Sequence, residues 1–103
     1  MKIGILGAGS WGTTVAHLLA RKYDVTLWAR DQSIAHEINQ HHFNTKYLGQ
    51  SELSPRLQAT SDLEIAVTDK ALIIVAIPAQ NFRDVLTEAV GFFNSEAAII
   101  SLS

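Results

Sequence analysis

Three glycines in the segment Gly7-Ala8-Gly9-Ser10-Trp11-Gly12 constrain the fold of this chain more than any other feature. The segment follows a short apolar run, residues 3–6, and precedes a stretch in which apolar residues recur with helical spacing. The apolar face predicted for that helix consists of Trp11, Val15, Leu18 and Leu19. The pattern therefore predicts a tight turn from a buried strand into a helix.

Each glycine of this turn has a separate expected role. Gly7 permits the sharp turn out of the strand, Gly9 lets the backbone approach a pyrophosphate, and Gly12 lets the helix pack closely on the sheet. Amides at a helix start hold phosphate charge, so the amides of Ser10 and Trp11 are the expected donors. The spacing thus predicts a dinucleotide-binding turn.

Further strands are predicted at residues 24–30, 57–60, 71–77 and 97–102, with helical segments between them. Segment 71–77 is apolar on both faces, and segment 97–102 is expected to be buried as well. Such strands alternating with helices indicate a doubly wound, Rossmann-type parallel α/β sheet. The whole chain, residues 1–103, is predicted to be one NAD(P)-binding domain whose sheet is incomplete at the C-terminus.

Two helix starts carry capping signals. Asp31 and Ser33 are both candidate N-caps for a helix that buries isoleucines. Ser61 and Glu64 match a capping box, with Ser61 as the N-cap. A last helix is expected to pack through the apolar residues Phe82, Val85, Leu86, Ala89, Val90 and Phe93.

The end of the second predicted strand bears on the choice of coenzyme. An acidic residue about twenty positions beyond the glycines would hold a ribose 2′-hydroxyl, but Arg30 occupies this neighbourhood. A guanidinium can bind a 2′-phosphate bidentately and stack on adenine, so NADP is favoured. Asp31 follows directly, so NAD also stays a candidate.

Composition excludes several classes of function. The 103 residues carry a formal charge of -2, without the basic clusters that nucleic acid or an anionic membrane would require. There is no cysteine, and the four histidines have no spacing typical of a metal site, so no metal is expected. We therefore expect a soluble cytoplasmic protein without membrane insertion.

No catalytic residue is assigned within the chain. Lys2, Lys22 and Lys70 are predicted at the edge of the sheet opposite the strand ends where ligands bind. Lys46 and Arg83 could lie on the correct side, but each is better explained as a solvated surface charge.

Four segments together resemble bacterial NAD(P)-dependent glycerol-3-phosphate dehydrogenases. They are GAGSWGTTVA, VTLWAR, NTKYL at residues 44–48, and the strand ending in Ile77-Pro78. The resemblance implies cofactor contacts at Ser10, Trp11, Arg30, Tyr47 and Phe82. Tyr47 could instead anchor its loop, and Phe82 could simply begin a helix core. Gly49 and Ala79 depart from the family pattern, which commonly has proline and serine there.

The resemblance also implies a reaction: interconversion of dihydroxyacetone phosphate and sn-glycerol 3-phosphate by hydride transfer, which feeds phospholipid synthesis. The family's catalytic lysine and helical substrate domain would lie outside this chain, so the chain alone is expected to be inactive. A homodimer is a further expectation. Two alternatives stay open: a dehydrogenase of the 6-phosphogluconate or ketopantoate type, and a non-catalytic NADP-sensing module.

Overall fold

The computed structural model describes residues 1–102. Ser103, predicted to follow the last strand, lies outside the described residues. Strands and helices alternate in the order β1 (Lys2–Leu6), α1 (Ser10–Ala20), β2 (Asp24–Trp28), α2 (Gln32–His41), α3 (Thr45–Leu48), β3 (Gln58–Thr60), α4 (Leu63–Val67), β4 (Leu72–Val75), α5 (Ala79–Ala89) and β5 (Ala98–Ser101), with a 3₁₀ turn at Val90–Phe92.

The strands form one sheet with the order β3-β2-β1-β4-β5, and every neighbouring pair is parallel. The chain builds one half of the sheet outward from β1 to β3 and then returns to place β4 on the other side of β1. This arrangement confirms the predicted doubly wound parallel sheet. The order reverses between β1 and β4, where ligands bind in folds of this type.

Apolar side chains cover both faces of the sheet. Ile3 and Ile5 of β1 belong to one buried cluster, which α1 and α2 complete. Leu6 belongs to a second cluster on the opposite face, together with residues of α4 and α5. Because successive side chains of a strand point to opposite faces, β1 contributes to both cores.

The buried face of α1 differs from the predicted one. Trp11 is 68% exposed and Leu18 is 54% exposed, whereas both were expected to pack on the sheet. The buried residues of the helix are instead small, namely Gly12, Thr13, Ala16 and Ala20. The other two residues of the predicted face, Val15 and Leu19, pack partly buried against the core cluster. At Gly12 the helix approaches the preceding turn so closely that a side chain would collide with backbone.

The prediction of a buried strand at residues 97–102 is wrong for this chain. All four residues of β5 are exposed, including Ile99 and Ile100. Within residues 1–102, β5 forms the edge of the sheet and pairs only with β4. Val90, predicted on the packed face of the last helix, is 60% exposed because α5 ends at Ala89 and the chain turns.

The capping predictions are resolved by side-chain geometry. The Asp31 carboxylate accepts a hydrogen bond from the Ser33 amide at 2.9 Å, so Asp31 is the N-cap of α2. The predicted N-cap Ser61 is wrong by one residue, since Asp62 caps α4 by accepting from the Glu64 amide at 3.0 Å. Asp62 acts two residues ahead of Glu64, which leaves no reciprocal capping box.

Candidate functional site

A cleft of about 720 Å³ opens where the carboxyl ends of β1, β2 and β4 meet. The glycine-rich turn forms one wall, residues 28–31 after β2 form another, and residues 76–79 after β4 form a third. Lys46 and Tyr47 of α3 also line the cleft, together with Ile34, Asn81 and Leu102. The cleft therefore lies at the point where the strand order reverses, which is the expected ligand position.

The three glycines of the turn have different steric surroundings. Gly7 has a φ of +117°, and a Cβ at this position would lie 2.5 Å from the Ala76 carbonyl oxygen. A Cβ at Gly12 would collide with the carbonyl oxygen of Gly7. A Cβ at Gly9 would meet nothing within 4 Å, and Gly9 lines the cleft. Gly7 and Gly12 are thus required by the protein's own backbone, whereas the space beside Gly9 is open to a ligand.

The N-terminus of α1 opens on this cleft without a capping side chain. Gly9 is the N-cap residue, no side-chain hydrogen bond caps the helix, and its first turn has no acidic residue. The first intrahelical bond runs from the Thr13 amide to the Gly9 carbonyl at 3.0 Å. The amides before Thr13 have no carbonyl within the helix to bind. Ser10 and Trp11, which were predicted to donate to phosphate, both line the cleft.

Positive and negative groups meet at the mouth of the cleft beyond β2. The Arg30 guanidinium is exposed and lies 5.6 Å from the centroid of the Trp28 ring, a cation–π arrangement. Hydrogen bonds from the Ser33 hydroxyl and amide lower the pKa of the Asp31 carboxyl below its ordinary value, and Lys46 adds a favourable charge. Arg30, Asp31 and Lys46 therefore all line the cleft.

Helix α3 lies beside the glycine turn and is held there by polar contacts. The Ser10 hydroxyl donates to the Tyr47 carbonyl at 3.2 Å. The Glu37 carboxylate accepts from the Thr45 amide at 3.0 Å and from the Thr45 hydroxyl at 2.5 Å. These bonds lower the pKa of Glu37. Tyr47 is 42% exposed, and the Lys46 Nζ lies 5.4 Å from the centroid of its ring.

Among the residues predicted to contact a cofactor, the structure brings most together at the cleft. Gly7, Gly9, Ser10, Trp11, Arg30 and Tyr47 all line it. Gly12 is buried behind the turn, and Phe82 does not line the cleft but packs partly buried against the cluster of α4 and α5. A cofactor contact at each of these positions stays a prediction.

Two residues at the site received no binding role from the sequence. Lys46, interpreted from sequence as a solvated charge, lines the cleft. Asn44 is fully buried, and its amide nitrogen donates to the Ala8 carbonyl and to the Thr13 hydroxyl, each at 3.0 Å. Asn44 belongs to the NTKYL segment that carries the family resemblance, but the segment alone could not show that Asn44 points inward.

Other ionisable groups have structural positions. The His17 Nδ1 accepts from the Ser54 amide at 2.8 Å. Lys70 donates to the carbonyls of Ile65 and Thr68 at the end of α4, and burial lowers its pKa. Residues 1–102 contain no group of three or more histidine, cysteine, aspartate or glutamate side chains placed to bind a metal ion. None of the helices in the same range combines the length and apolar character needed to cross a membrane.

Comparison with known proteins gives consistent matches over the full chain. Residues 2–103 match the family model described as the N-terminus of NAD-dependent glycerol-3-phosphate dehydrogenase. The chain is 47% identical over 103 residues to a glycerol-3-phosphate dehydrogenase [NAD(P)+] from Bacillus licheniformis and 44% identical over 104 residues to one from Acinetobacter baylyi. These alignments cover 99% and 100% of the chain but only 30% and 29% of the two relatives.

The fold has a close counterpart among solved structures. A glycerol-3-phosphate dehydrogenase from Plasmodium falciparum superposes with a TM-score of 0.93 and 32% sequence identity. That superposition covers the whole chain and 32% of the Plasmodium protein. The chain therefore spans about a third of the length of the proteins that it matches.

Proposed function

The chain belongs to the NAD-dependent glycerol-3-phosphate dehydrogenase family, and from this premise we propose that it binds NADPH or NADH for that enzyme activity. In this role it is the cofactor-binding domain, residues 1–103, of an oxidoreductase that interconverts dihydroxyacetone phosphate and sn-glycerol 3-phosphate. Family membership favours this function over the two alternatives, another type of dehydrogenase and a non-catalytic sensor.

The observation that carries the proposal is the uncapped start of α1 at the rim of the cleft. Helices α2 and α4 are each capped by an aspartate, Asp31 and Asp62, whereas α1, like α3 and α5, begins with no side-chain cap. Free amides and the positive end of a helix dipole bind phosphate. The open space beside Gly9 gives a pyrophosphate room to approach this backbone.

The chemistry divides between this chain and the rest of the enzyme. When bound, the nicotinamide supplies or accepts the hydride. Residues of the glycine turn hold the pyrophosphate, and the cleft orients the dinucleotide between β1 and β4. We infer that the proton donor and the substrate phosphate site belong to the part of the relatives that this chain does not span, since the chain covers only 30% and 29% of the two bacterial enzymes.

We infer that NADPH is preferred, with NADH also bound. Arg30 supports this preference because its guanidinium stands over Trp28 at the mouth, where it can bind a 2′-phosphate. Lys46 adds a second positive charge to the same rim. Asp31 opposes the preference, because its exposed carboxylate adds a negative charge to the lining of the same cleft.

We further propose that the protein acts in the cytoplasm in supplying glycerol 3-phosphate for phospholipids, and that two copies form a homodimer. The net charge of -2 supports the absence of nucleic acid and anionic membrane among its partners.

A fluorescence titration tests the proposed function. The two tryptophans, Trp11 and Trp28, both line the cleft, so their emission should report a bound dinucleotide. We expect saturable binding of NADPH and weaker binding of NADH, with no turnover of dihydroxyacetone phosphate by the chain alone. Inorganic tripolyphosphate, which has anionic charge without a nucleoside, is the control. Absence of saturation with both coenzymes would overturn the proposal.

A further inference from the structure

The side chain of Asn44 connects the segment before α3 with both ends of the glycine turn. Its amide nitrogen donates to the Ala8 carbonyl between two of the glycines and to the Thr13 hydroxyl in the first turn of α1. These partners are 36 and 31 residues away in sequence. Asn44 and Thr13 are both 0% exposed, so neither bond competes with water.

The Ala8 carbonyl has a direct geometric relation to the backbone that would receive a phosphate. In a trans peptide the C=O and the following N–H point in opposite directions. When Asn44 holds the Ala8 carbonyl toward the protein interior, the Gly9 N–H is directed to the other side of the peptide. Gly9 lines the cleft, and glycine turns are otherwise conformationally loose.

The hydrogen-bond partners of Asn44 show which end of its side-chain amide, NH₂ or oxygen, faces the glycine turn. A carbonyl oxygen can only accept a hydrogen bond, so the NH₂ end of the amide must face Ala8. The Oδ1 atom is buried and has no hydrogen-bond partner among residues 1–102. The amide is therefore placed for donation to the turn.

We propose that Asn44 is a positioning residue, which holds the glycine turn in the conformation that receives the pyrophosphate. It acts through the Ala8 carbonyl and the Thr13 hydroxyl and does not touch the cofactor. This inference rests on the proposed function. Loss of the side chain should weaken pyrophosphate binding and leave recognition of the adenosine 2′-phosphate at Arg30 unchanged.

The test compares two ligands on three forms of the chain. NADPH engages the whole cleft, whereas adenosine 2′-monophosphate lacks the pyrophosphate. For Asn44→Ala we expect about tenfold weaker binding of NADPH, the effect of losing buried hydrogen bonds, and a change of less than about twofold for adenosine 2′-monophosphate. The matched control is Asn39→Ala. Asn39 likewise makes two side-chain hydrogen bonds, both to the Ala59 backbone at 2.8 Å, but does not line the cleft.

A second pair of variants covers the case in which Asn44→Ala does not fold, which circular dichroism would reveal. Thr13→Val keeps the shape of the side chain and removes the acceptor, so NADPH binding should weaken selectively. Thr13→Ser keeps a hydroxyl and should restore wild-type affinity. Equal weakening of both ligands, or unchanged NADPH affinity in folded Asn44→Ala or Thr13→Val, would overturn the inference.

The failure of the inference can be distinguished from failure of the proposed function. A wild-type chain that binds NADPH, with a folded Asn44→Ala variant of the same affinity, contradicts only the positioning role. A wild-type chain that binds neither NADPH nor NADH contradicts the proposed function, and the inference with it.

Discussion

At the scale of single residues, identical amino acids in one motif serve different purposes. Gly7 and Gly12 are required by contacts within the protein, because a side chain at either would meet backbone. Gly9 has open space beside it and a φ of -79°, which any residue can adopt. The motif therefore combines a folding requirement with a proposed binding requirement.

Alanine substitutions should separate these two requirements. Gly12→Ala drives a methyl group into the Gly7 carbonyl and should lower the free energy of unfolding by about 3 kcal/mol or more. Gly9→Ala should change it by less than about 0.5 kcal/mol while weakening NADPH binding, because the methyl group occupies the open space of the cleft. Thermal unfolding measures the change in stability, and a separate fluorescence titration measures the NADPH affinity. A Gly9→Ala variant with wild-type NADPH affinity would show that no ligand approaches Gly9 closely.

Arg30 should determine the coenzyme preference. Arg30→Ala removes the charged donor for a 2′-phosphate, so the ratio of NADPH to NADH affinity should fall by about tenfold. Arg83→Ala is the matched control, since Arg83 is an exposed arginine on α5 that does not line the cleft. An unchanged ratio in Arg30→Ala would mean that another group, such as Lys46, recognises the 2′-phosphate.

At the scale of elements, the short helix α3 depends on its anchors. A helix of four residues cannot be stable by itself, since nucleation is unfavourable and few backbone bonds form. Glu37 of α2 accepts two hydrogen bonds from Thr45 at the start of α3, and Ser10 binds the Tyr47 carbonyl. Side-chain contacts with α1 and α2 therefore hold α3 at the edge of the cleft.

The Glu37 anchor should make stability depend on pH in the acid range. The folded-state pKa of Glu37 is lowered by its bonds to Thr45, so the stabilisation is complete above the unfolded-state pKa. It is lost as the pH falls through the folded-state pKa. Between pH 7 and acid pH, the free energy of unfolding should fall less for Glu37→Gln than for wild type. The difference should be under about 1 kcal/mol, because solvent screens the carboxylate. Thermal unfolding at each pH measures it. Glu52→Gln, at an exposed glutamate, is the control and should retain the wild-type slope.

At the scale of the whole molecule, the two edges of the sheet differ. The β3 edge is short, with three residues, and Asn39 binds the backbone of Ala59 there. The β5 edge presents Ile99 and Ile100, which are 51% and 47% exposed. An apolar edge strand with unpaired backbone groups favours pairing with another chain.

Self-association of this chain through β5 is the expected consequence. Ile99→Lys should shift the protein toward the monomer in concentration-dependent size-exclusion chromatography, because a lysine on an edge strand opposes pairing. Ile65→Lys is the control, since Ile65 is 55% exposed but lies on α4. If both variants associate to the same extent as wild type, the β5 edge does not mediate the contact.

Local patterns in the sequence were sufficient for much of this fold. The glycine turn, the alternation of strands with helices and the apolar character of β4 predicted a doubly wound parallel sheet with a ligand cleft after β1. The position of Arg30 just after β2 also follows from local order, and the structure places it in the lining of the cleft. These features were predictable because each depends on residues that are close in the chain.

Tertiary structure decided the features that depend on distance between elements. On α1, Ala16 is buried and Leu18 is 54% exposed, because the packing of the helix on the sheet decides which of its side chains face the core. Asn44 meets Ala8 only after α2 has returned the chain to the glycine turn, a separation of 36 residues that no local pattern records. Local patterns predicted the strands, the longer helices and their order, but not the short helix α3. Packing between the elements decided which side chains became core, cleft or exposed edge.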